Sequence, residues 1–205
     1  MTVKRGIPNG RASSHGIHSV PGGLKVRRVR TREELQRAFA IRLRVFVREQ
    51  GVPRDVELDR DDARAVHFLA TMGGRAVGTA RVVMNDGKAK IGRMAVLKGC
   101  RRKGIGRVLV RRALAWAEKR GVASIYLNAQ VPVVGFYEKM SFRAVGGTFR
   151  EAGIPHRKMI LTTGARANRL SKRAVPGPVK KVPGARRAKS RRAKAYLSST
   201  LKRGD

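Results

Sequence analysis

The stretch Lys90–Arg120, KIGRMAVLKGCRRKGIGRVLVRRALAWAEKR, decides the fold of this chain. It predicts a strand over Ile91–Leu97, a basic turn over Arg101–Gly106 and a helix that continues to about Arg120. A helix that begins directly after such a turn has unpaired backbone N–H groups, and its dipole favours negative charge at that end. The stretch therefore predicts an anion-binding turn between a buried strand and an amphipathic helix.

The turn has the composition of a pyrophosphate cradle. Gly104 and Gly106 have no Cβ, so a diphosphate can approach the main chain closely. The cradle residues are Arg101, Arg102, Lys103, Gly104, Ile105, Gly106 and Arg107, and their basic side chains add positive charge. The spacing lacks the G-x-x-x-x-G-K-[ST] of a P-loop. It also fails the dinucleotide pattern, because Leu109 stands at the third glycine position and Asn128, which is not acidic, follows the next strand.

A second strand and a short helix are predicted downstream of the turn. Gly121 has the position of a glycine that ends a helix. Ser124–Asn128 predicts a buried strand, and Pro132 begins a helix that ends near Ser141 and Phe142.

The region upstream predicts one strand, a helical segment and a pair of strands. Lys25–Val29 is the first strand, and Thr31 with Glu34 three positions later has the spacing of a capping box. Val66–Thr71 and Ala76–Met84 predict paired strands joined by a glycine turn. The predicted order is β-α-α-β-β-β-α-β-α-β-β, which is an α/β fold with a mixed sheet.

The strand, turn and helix resemble the R-x-x-G-x-G signature of the GNAT N-acetyltransferases, in which the turn holds the pyrophosphate of acetyl-CoA. Four further phrases are similar to an ElaA/YjcF-like bacterial subgroup of that family, in the same order: FVREQGVP (46–53), IGRMAV (91–96), LNAQ (127–130) and EAGIPH (151–156). The resemblance covers roughly residues 24–161. It implies a GNAT-type mixed β-sheet flanked by helices on both faces. The resemblance also places Ser141 where the family usually has a glycine, which implies a positive φ at that residue.

The resemblance also implies a reaction. The acetyl group would pass directly from acetyl-CoA, the co-substrate, to an amine of a small molecule or a protein. Backbone amides of Met94, Ala95 and Val96 would bind the pantetheine arm, and Asn128 is expected at the cofactor site. Tyr137 matches the family tyrosine that protonates the departing thiolate.

A protonated amine must lose a proton before it reacts, so a proton acceptor is required. The candidates are Glu49, His67, Glu151 and His156, with water as an alternative. His156 is the first choice because it lies on an expected loop near the site, and Glu49 is kept as a second catalytic candidate. His67 lies within an apolar strand and is expected to be a core histidine.

The formal net charge of +35 is spread unevenly over three segments. Residues 1–23 predict a disordered arm, and residues 24–161, with 31 basic and 12 acidic residues, predict the acetyltransferase domain. Residues 162–205 carry 14 basic residues and one acid and predict a disordered Lys/Arg/Pro/Ala-rich tail. Such a tail attracts polyanions through counterion release. The alternative hypothesis is therefore a nonspecific nucleic-acid-binding protein that carries a vestigial or accessory acetyltransferase domain.

Composition excludes several other classes. The single Cys100 precludes an internal disulfide, and no zinc-type Cys/His spacing is present, so no metal is predicted. No segment approaches the roughly 18 apolar residues of a membrane span. We expect a cytoplasmic monomer or homodimer, with nucleoid association through the tail as a further expectation.

Overall fold

A computed structural model describes residues 23–162 of the chain. The first strand begins at Leu24 and the last one ends at Thr162. The predicted disordered arm and basic tail fall on residues 1–22 and 163–205, apart from one residue each, and so lie outside the described residues.

The described residues form seven strands and four α-helices in the predicted order. The strands are β1 (Leu24–Arg28), β2 (Val66–Met72), β3 (Arg75–Asn85), β4 (Lys88–Val96), β5 (Ser124–Gln130), β6 (Arg143–Glu151) and β7 (Ile154–Thr162). The helices are α1 (Arg32–Arg42), α2 (Arg54–Glu57), α3 (Ile105–Glu118) and α4 (Val134–Glu138). A π-helical segment, Leu43–Glu49, continues α1 without a break.

The strands form one mixed sheet in the order β1-β2-β3-β4-β5-β7-β6. Within this sheet β4 and β5 pair in parallel, while the other neighbours are antiparallel. The connection between the two parallel strands contains α3, because parallel neighbours need a long crossover, which is usually a helix. The predicted mixed sheet is therefore confirmed.

Helices cover both faces of the sheet, as predicted. Successive side chains of a strand point to opposite faces. On β2, Leu69 packs in one cluster with Ala38 and Ile41 of α1. Its neighbours Phe68 and Ala70 belong to the main core, which is built on α3. Within residues 23–162, no helix is long and apolar enough to cross a membrane.

A β-bulge in β4 interrupts its pairing with β3. Arg81 lies opposite Gly92, and Thr79 lies opposite Ala95. One residue on β3 therefore faces two on β4. Arg93 is one of the two β4 residues in this bulge. Its φ is +48°, a conformation that residues with a side chain rarely adopt.

The bulge coincides with a separation of β4 from β5, which we call the split. The two strands pair only where Lys88, Ala89 and Lys90 face Ser124–Tyr126. Beyond these residues β4 continues along β3, while β5 pairs with β7 over its whole length. The sheet is therefore open between its two central strands.

The local predictions around α4 were partly wrong. A 3₁₀ turn occupies Val131–Val133, so the α-helix begins at Val134 instead of Pro132 and ends at Glu138. Pro132 lies in the first turn of this 3₁₀ segment, a position that suits a proline in either kind of helix. Ser141 has φ at +68°, which confirms the predicted positive φ.

One of the two hydrogen bonds of the predicted capping box at α1 is present, and the other goes to a different residue. Thr31 Oγ1 accepts from the Glu34 amide at 3.2 Å, as predicted. The Glu34 carboxylate accepts from the amide of Arg30 at 2.8 Å, one residue before the N-cap. Both bonds still satisfy backbone donors at the start of the helix.

His67 is a core histidine, as expected. Its ring meets Phe39 edge to face at 5.7 Å, and Nε2 lies 3.2 Å from the carbonyl oxygen of Asp62. A carbonyl oxygen only accepts, so Nε2 carries the proton. Nδ1 is buried without a hydrogen-bond partner among the described residues. Burial lowers the pKa of His67 to about 4.

This histidine predicts a loss of stability in weak acid. Between the ordinary pKa of about 6.5 and the folded value, the unfolded chain binds a proton that the folded chain does not. The free energy of unfolding should therefore fall by about 3 kcal/mol as the pH drops through that window. His67→Gln keeps an N–H for the Asp62 carbonyl and should remove most of this dependence. Urea titrations at pH 7 and pH 4 measure the free energy of unfolding of both proteins. An equal loss between the two pH values in the unaltered protein and in His67→Gln would show that His67 is not the cause.

Candidate active site

The split opens into a cavity of about 660 Å³. Its walls come from the bulged end of β4, the C-terminal half of β5, the turn before α3, the π-helical segment and the β6–β7 hairpin. Cavities that bind small ligands typically measure about 300–1,000 Å³. The opening in the sheet is thus large enough for a ligand.

Most of the residues that the sequence predicted line this cavity. They are Met94, Ala95, Val96, Arg101, Arg102, Gly104, Ile105, Gly106, Arg107, Asn128, Tyr137 and His156. Two predicted residues, Lys103 and Glu49, are not part of the lining. Residues far apart in the chain are therefore brought to one place by the fold.

The N-terminus of α3 opens onto the cavity without a side-chain cap. Gly104 is the N-cap residue with φ at +75°, and no side chain bonds to the cap. The Val108 amide donates to the Gly104 carbonyl at 3.2 Å, so the three preceding amides of the helix have no acceptor within it. A Cβ at Gly104 would point into open space, and one at Gly106 would lie 3.5 Å from Phe136. This cradle fits a diphosphate group.

One of the arginines of the cradle, Arg101, is already bound to other residues. Arg101 forms an ion pair with Glu49 at 2.5 Å and donates through Nε to the Val96 carbonyl at 2.9 Å. Arg102 and Arg107 line the cavity beside it. The Glu49 carboxylate is thus already bound to a cation of the cradle.

The edge of β4 at the split is available to an extended ligand. Beyond Lys90, β4 has no strand partner on the β5 side among the described residues. On its other side Val96 still pairs with Gly78. An unpaired strand edge presents backbone donors and acceptors in a row, which suits the amide-containing arm of a ligand such as pantetheine.

Tyr137 lies at the base of the cavity on α4. It is 6% exposed, and its ring contacts Phe136 and Phe142 edge to face. The hydroxyl donates to the Met94 sulfur at 3.6 Å, which is a weak bond. Burial raises the pKa of Tyr137 well above its ordinary value, so the hydroxyl stays protonated. It is therefore a hydrogen-bond donor at neutral pH.

His156 lies on β7 and not on a loop, because the β6–β7 hairpin turns earlier, at Ala152 and Gly153. The ring stacks on Phe149 at 6.1 Å. Nδ1 lies 2.7 Å from the carbonyl oxygen of Ile154 and must donate to it. In the neutral ring Nε2 therefore carries the lone pair, which is the state that a proton acceptor needs.

A buried network of ion pairs borders the cavity, and it was not predicted. Its members are Arg42, Arg81, Arg93, Glu57, Asp59 and Asp62. Arg42 is fully buried in α1 and binds Glu57 and Asp62 at 2.6 Å each. Burial opposes charge on Asp62, but its hydrogen bonds from the two neighbouring arginines hold its pKa below the usual range.

The network also fixes the bulge. The Arg93 guanidinium lies 3.0 Å from the Glu57 carboxylate and 2.8 Å from that of Asp59. It also donates to the carbonyl oxygen of Val56 at 2.9 Å. Arg81, on the adjacent strand, binds Asp59 at 2.7 Å. These bonds hold the residue with positive φ in place and attach the segment 56–62 to the edge of the cavity.

A clustering of acids was the available sequence signal for this network. Five of the 13 acidic residues of the chain fall between positions 55 and 62. Their arginine partners lie up to 36 residues away, so the sequence does not pair them. Two further polar pairs of the cavity were also missed. Gln130 donates to the Gln50 side-chain oxygen at 2.9 Å, and Asn128 donates to the Glu151 carboxylate at 2.7 Å.

Within residues 23–162, no group of three or more His, Cys, Asp or Glu side chains could hold a metal ion. Cys100 is a free thiol that lines the cavity near the cradle.

Comparison with known proteins gives a consistent family. A family model described as an acetyltransferase (GNAT) domain matches residues 31–163. The uncharacterised N-acetyltransferase YjcF of Bacillus subtilis is 37% identical over 129 residues, which are 62% of this chain and 92% of that protein.

Two solved structures have the same fold. An acyl-CoA N-acyltransferase from Pseudomonas aeruginosa is 30% identical with a TM-score of 0.61, over 67% of this chain and 98% of that one. ElaA of Escherichia coli is 26% identical with a TM-score of 0.61, over 67% and 98%. In both matches almost the whole of the other chain is covered.

The ion network predicts a large effect of removing one charge. Glu57→Gln keeps the shape of the side chain but leaves Arg42, which is fully buried, without one of its two partners. The free energy of unfolding in urea should fall by about 3 kcal/mol. Glu118→Gln, which neutralises an exposed acid on α3, is the matched control and should change it by less than about 0.5 kcal/mol. Equal effects of the two variants would show that the network does not hold the segment.

Proposed function

This chain belongs to the GNAT family of acetyltransferases, and we propose that it moves the acetyl group of acetyl-CoA to an amine by direct attack. Acetyl-CoA is the co-substrate. The observation that carries the proposal is the cavity at the split, which combines an uncapped helix N-terminus, an open strand edge and polar side chains.

The co-substrate would lie along the open edge of β4. Its diphosphate would bind the free amides of Ile105–Arg107, with Arg102 and Arg107 supplying positive charge. The amides near Met94–Val96 would bind the pantetheine arm and polarise the thioester carbonyl. Lys103 is exposed beside the same turn, where its charge would act over a longer distance.

The transfer makes one bond and breaks another. The lone pair of the amine nitrogen attacks the thioester carbon, the C–S bond breaks, and the thiolate leaves. The nitrogen loses one proton and the thiolate gains one. The protein must therefore accept a proton on one side of the reacting carbon and stabilise negative charge on the other.

Tyr137 is proposed to stabilise the departing thiolate. A thiol has an ordinary pKa of about 8.5 and a tyrosine one of about 10. Burial raises the pKa of Tyr137 further, so complete proton transfer to the thiolate is unfavourable. The hydroxyl therefore acts mainly as a hydrogen-bond donor, and the Met94 sulfur that it now contacts is a weak acceptor that a thiolate can replace.

His156 is proposed as the proton acceptor. It lines the cavity, and its tautomer leaves the lone pair on Nε2. Glu49 is supported less well, because its carboxylate binds Arg101 and does not line the cavity. The alternative hypothesis of polyanion binding depends on a tail that lies outside the described residues, so acetyl transfer is the only function proposed.

The cradle can be tested with one added charge. Gly106→Asp places a carboxylate at the helix N-terminus, and calorimetry at low ionic strength should show acetyl-CoA binding weakened by about 100-fold, because like charges a few Å apart repel strongly. Gly106→Ala is the control for bulk. Its Cβ would make ordinary contact with Phe136 at 3.5 Å, so binding should stay within about threefold. Failure of the unaltered protein to bind acetyl-CoA would overturn the proposal.

The role of Tyr137 can be separated from packing. Tyr137→Phe removes only the hydroxyl and should lower kcat by about 100-fold, with the KM for acetyl-CoA little changed. Tyr126→Phe is the matched control, because Tyr126 is not part of the cavity lining and its ring instead contacts Lys158. Thiol release with a primary amine as acceptor measures both. An unchanged kcat in Tyr137→Phe would leave Tyr137 with a packing role alone.

A further inference from the structure

Side chains of β5, β6 and β7 share one face of this part of the sheet. Lys158, which lies opposite Asn128, is one of them, but its ammonium lies over the Tyr126 ring and it is not part of the cavity lining. The register places five other side chains on the same face. Residues directly opposite in an antiparallel pair point to the same face. Gln130 of β5 lies opposite His156 of β7, and His156 lies opposite Phe149 of β6. Asn128 and Glu151 lie two residues from Gln130 and Phe149 on their own strands, and so point the same way. The bond between Asn128 and Glu151 agrees with this arrangement. We call these five residues the acceptor face.

The acceptor face lies on the opposite side of the sheet from α3. Leu127 and Ala129, which alternate with its β5 residues, belong to the core cluster that contains α3. Gln130 instead meets Gln50 at the end of the π-helical segment, on the α1 side. The cavity is lined by the α3 cradle and by four members of the acceptor face, Asn128, Gln130, Glu151 and His156, so it passes through the split from one face of the sheet to the other.

The two carboxylates that line the cavity differ in their partners. Glu57 is buried and bound by Arg42 and Arg93, which neutralise its charge within the network. Glu151 makes no ion pair with any described residue, and Asn128 donates the hydrogen bond that it receives. Glu151 is therefore the cavity carboxylate whose negative charge is available to a ligand.

The groups beside Glu151 also accept hydrogen bonds. Because the Asn128 amide nitrogen donates to Glu151, its side-chain oxygen remains an acceptor. His156 in its neutral tautomer presents Nε2, which also accepts. Such a cluster of acceptors next to a negative charge matches a cation with several N–H donors, and a primary ammonium has three.

We propose that Glu151 and Asn128 bind the acceptor amine in its protonated, ammonium form and so determine which amines the site accepts. This inference rests on the proposed acetyl transfer. It assigns to Glu151 the binding of the amine and leaves its deprotonation to His156. One N–H bond of the ammonium breaks, the proton passes to Nε2 or to water, and the freed lone pair attacks the thioester carbon. The C–S bond then breaks, and the second proton that the nitrogen loses neutralises the departing thiolate.

Charge complementarity gives this pair a selective role. Residues 24–161 carry 31 basic and 12 acidic residues, so the surrounding field repels cations and a local carboxylate is needed to hold one. At the cradle the same positive field attracts the diphosphate. One cavity thus has a cationic end for the co-substrate and an anionic end for the amine.

The test uses benzylamine, which is protonated at neutral pH, and aniline, which is not. In Glu151→Gln the KM for benzylamine should rise at least about tenfold, the loss expected for a charge-assisted hydrogen bond. The KM for acetyl-CoA and the inhibition constant of aniline should stay within about twofold. Glu118→Gln, the exposed acid on α3, is the control and should leave all three constants unchanged.

Each outcome bears on a different claim. If acetyl-CoA binds in calorimetry but the KM for benzylamine is the same in the unaltered protein and in Glu151→Gln, the ammonium site is overturned while acetyl transfer stands. If benzylamine is not acetylated, its binding to the complex with coenzyme A is followed by ligand-observed NMR. Saturable binding that is lost in Glu151→Gln supports the site, and any other result overturns it. Absence of acetyl-CoA binding overturns the proposed function itself.

Discussion

The attachment of Arg93 to the carboxylates of Glu57 and Asp59 is the constraint on which the site depends. Arg93 occupies a backbone conformation that is costly for a residue with a side chain, and the network holds it there. The bulge that results leaves β4 paired with β3 but not with β5 beyond Lys90. A closed sheet at this point would bury the amides of β4 in strand pairing and leave no path between its two faces. The ion network therefore keeps the sheet open where a ligand must enter.

Removing the charged side chains of this network from water costs free energy. Arg42 is fully buried, and burial acts against the charged form of each acid in the network. Such a cluster is stable only when every charge has partners, so its contribution lies in fixing one geometry more than in raising stability. The fixed geometry reaches the cavity directly, since Glu57, Arg81 and Arg93 all line it. Stability and site geometry are thus coupled through the same side chains.

Local sequence signals predicted much of the fold. Gly121, which was expected to end a helix, and Ser141 both have positive φ. Alternating apolar residues predicted the strands to within a few positions, and the family resemblance is confirmed by the comparisons. The start of α4 was wrong because a proline can begin either a 3₁₀ turn or an α-helix. His156 was expected on a loop because the preceding glycine and proline are common in turns, yet the hairpin turns at Ala152 and Gly153, and Pro155 and His156 lie in β7.

The sequence by itself determined the anion-binding turn, because a strand, two glycines and a helix are contiguous and their backbone geometry is local. It also determined the family and the order of the elements. Only the tertiary structure decided which polar side chains meet. Arg101 pairs with Glu49, 52 residues away, and Asn128 with Glu151, 23 residues away. Such pairings depend on strand register and on the split, and a shift of one residue would turn every side chain of a strand to the other face.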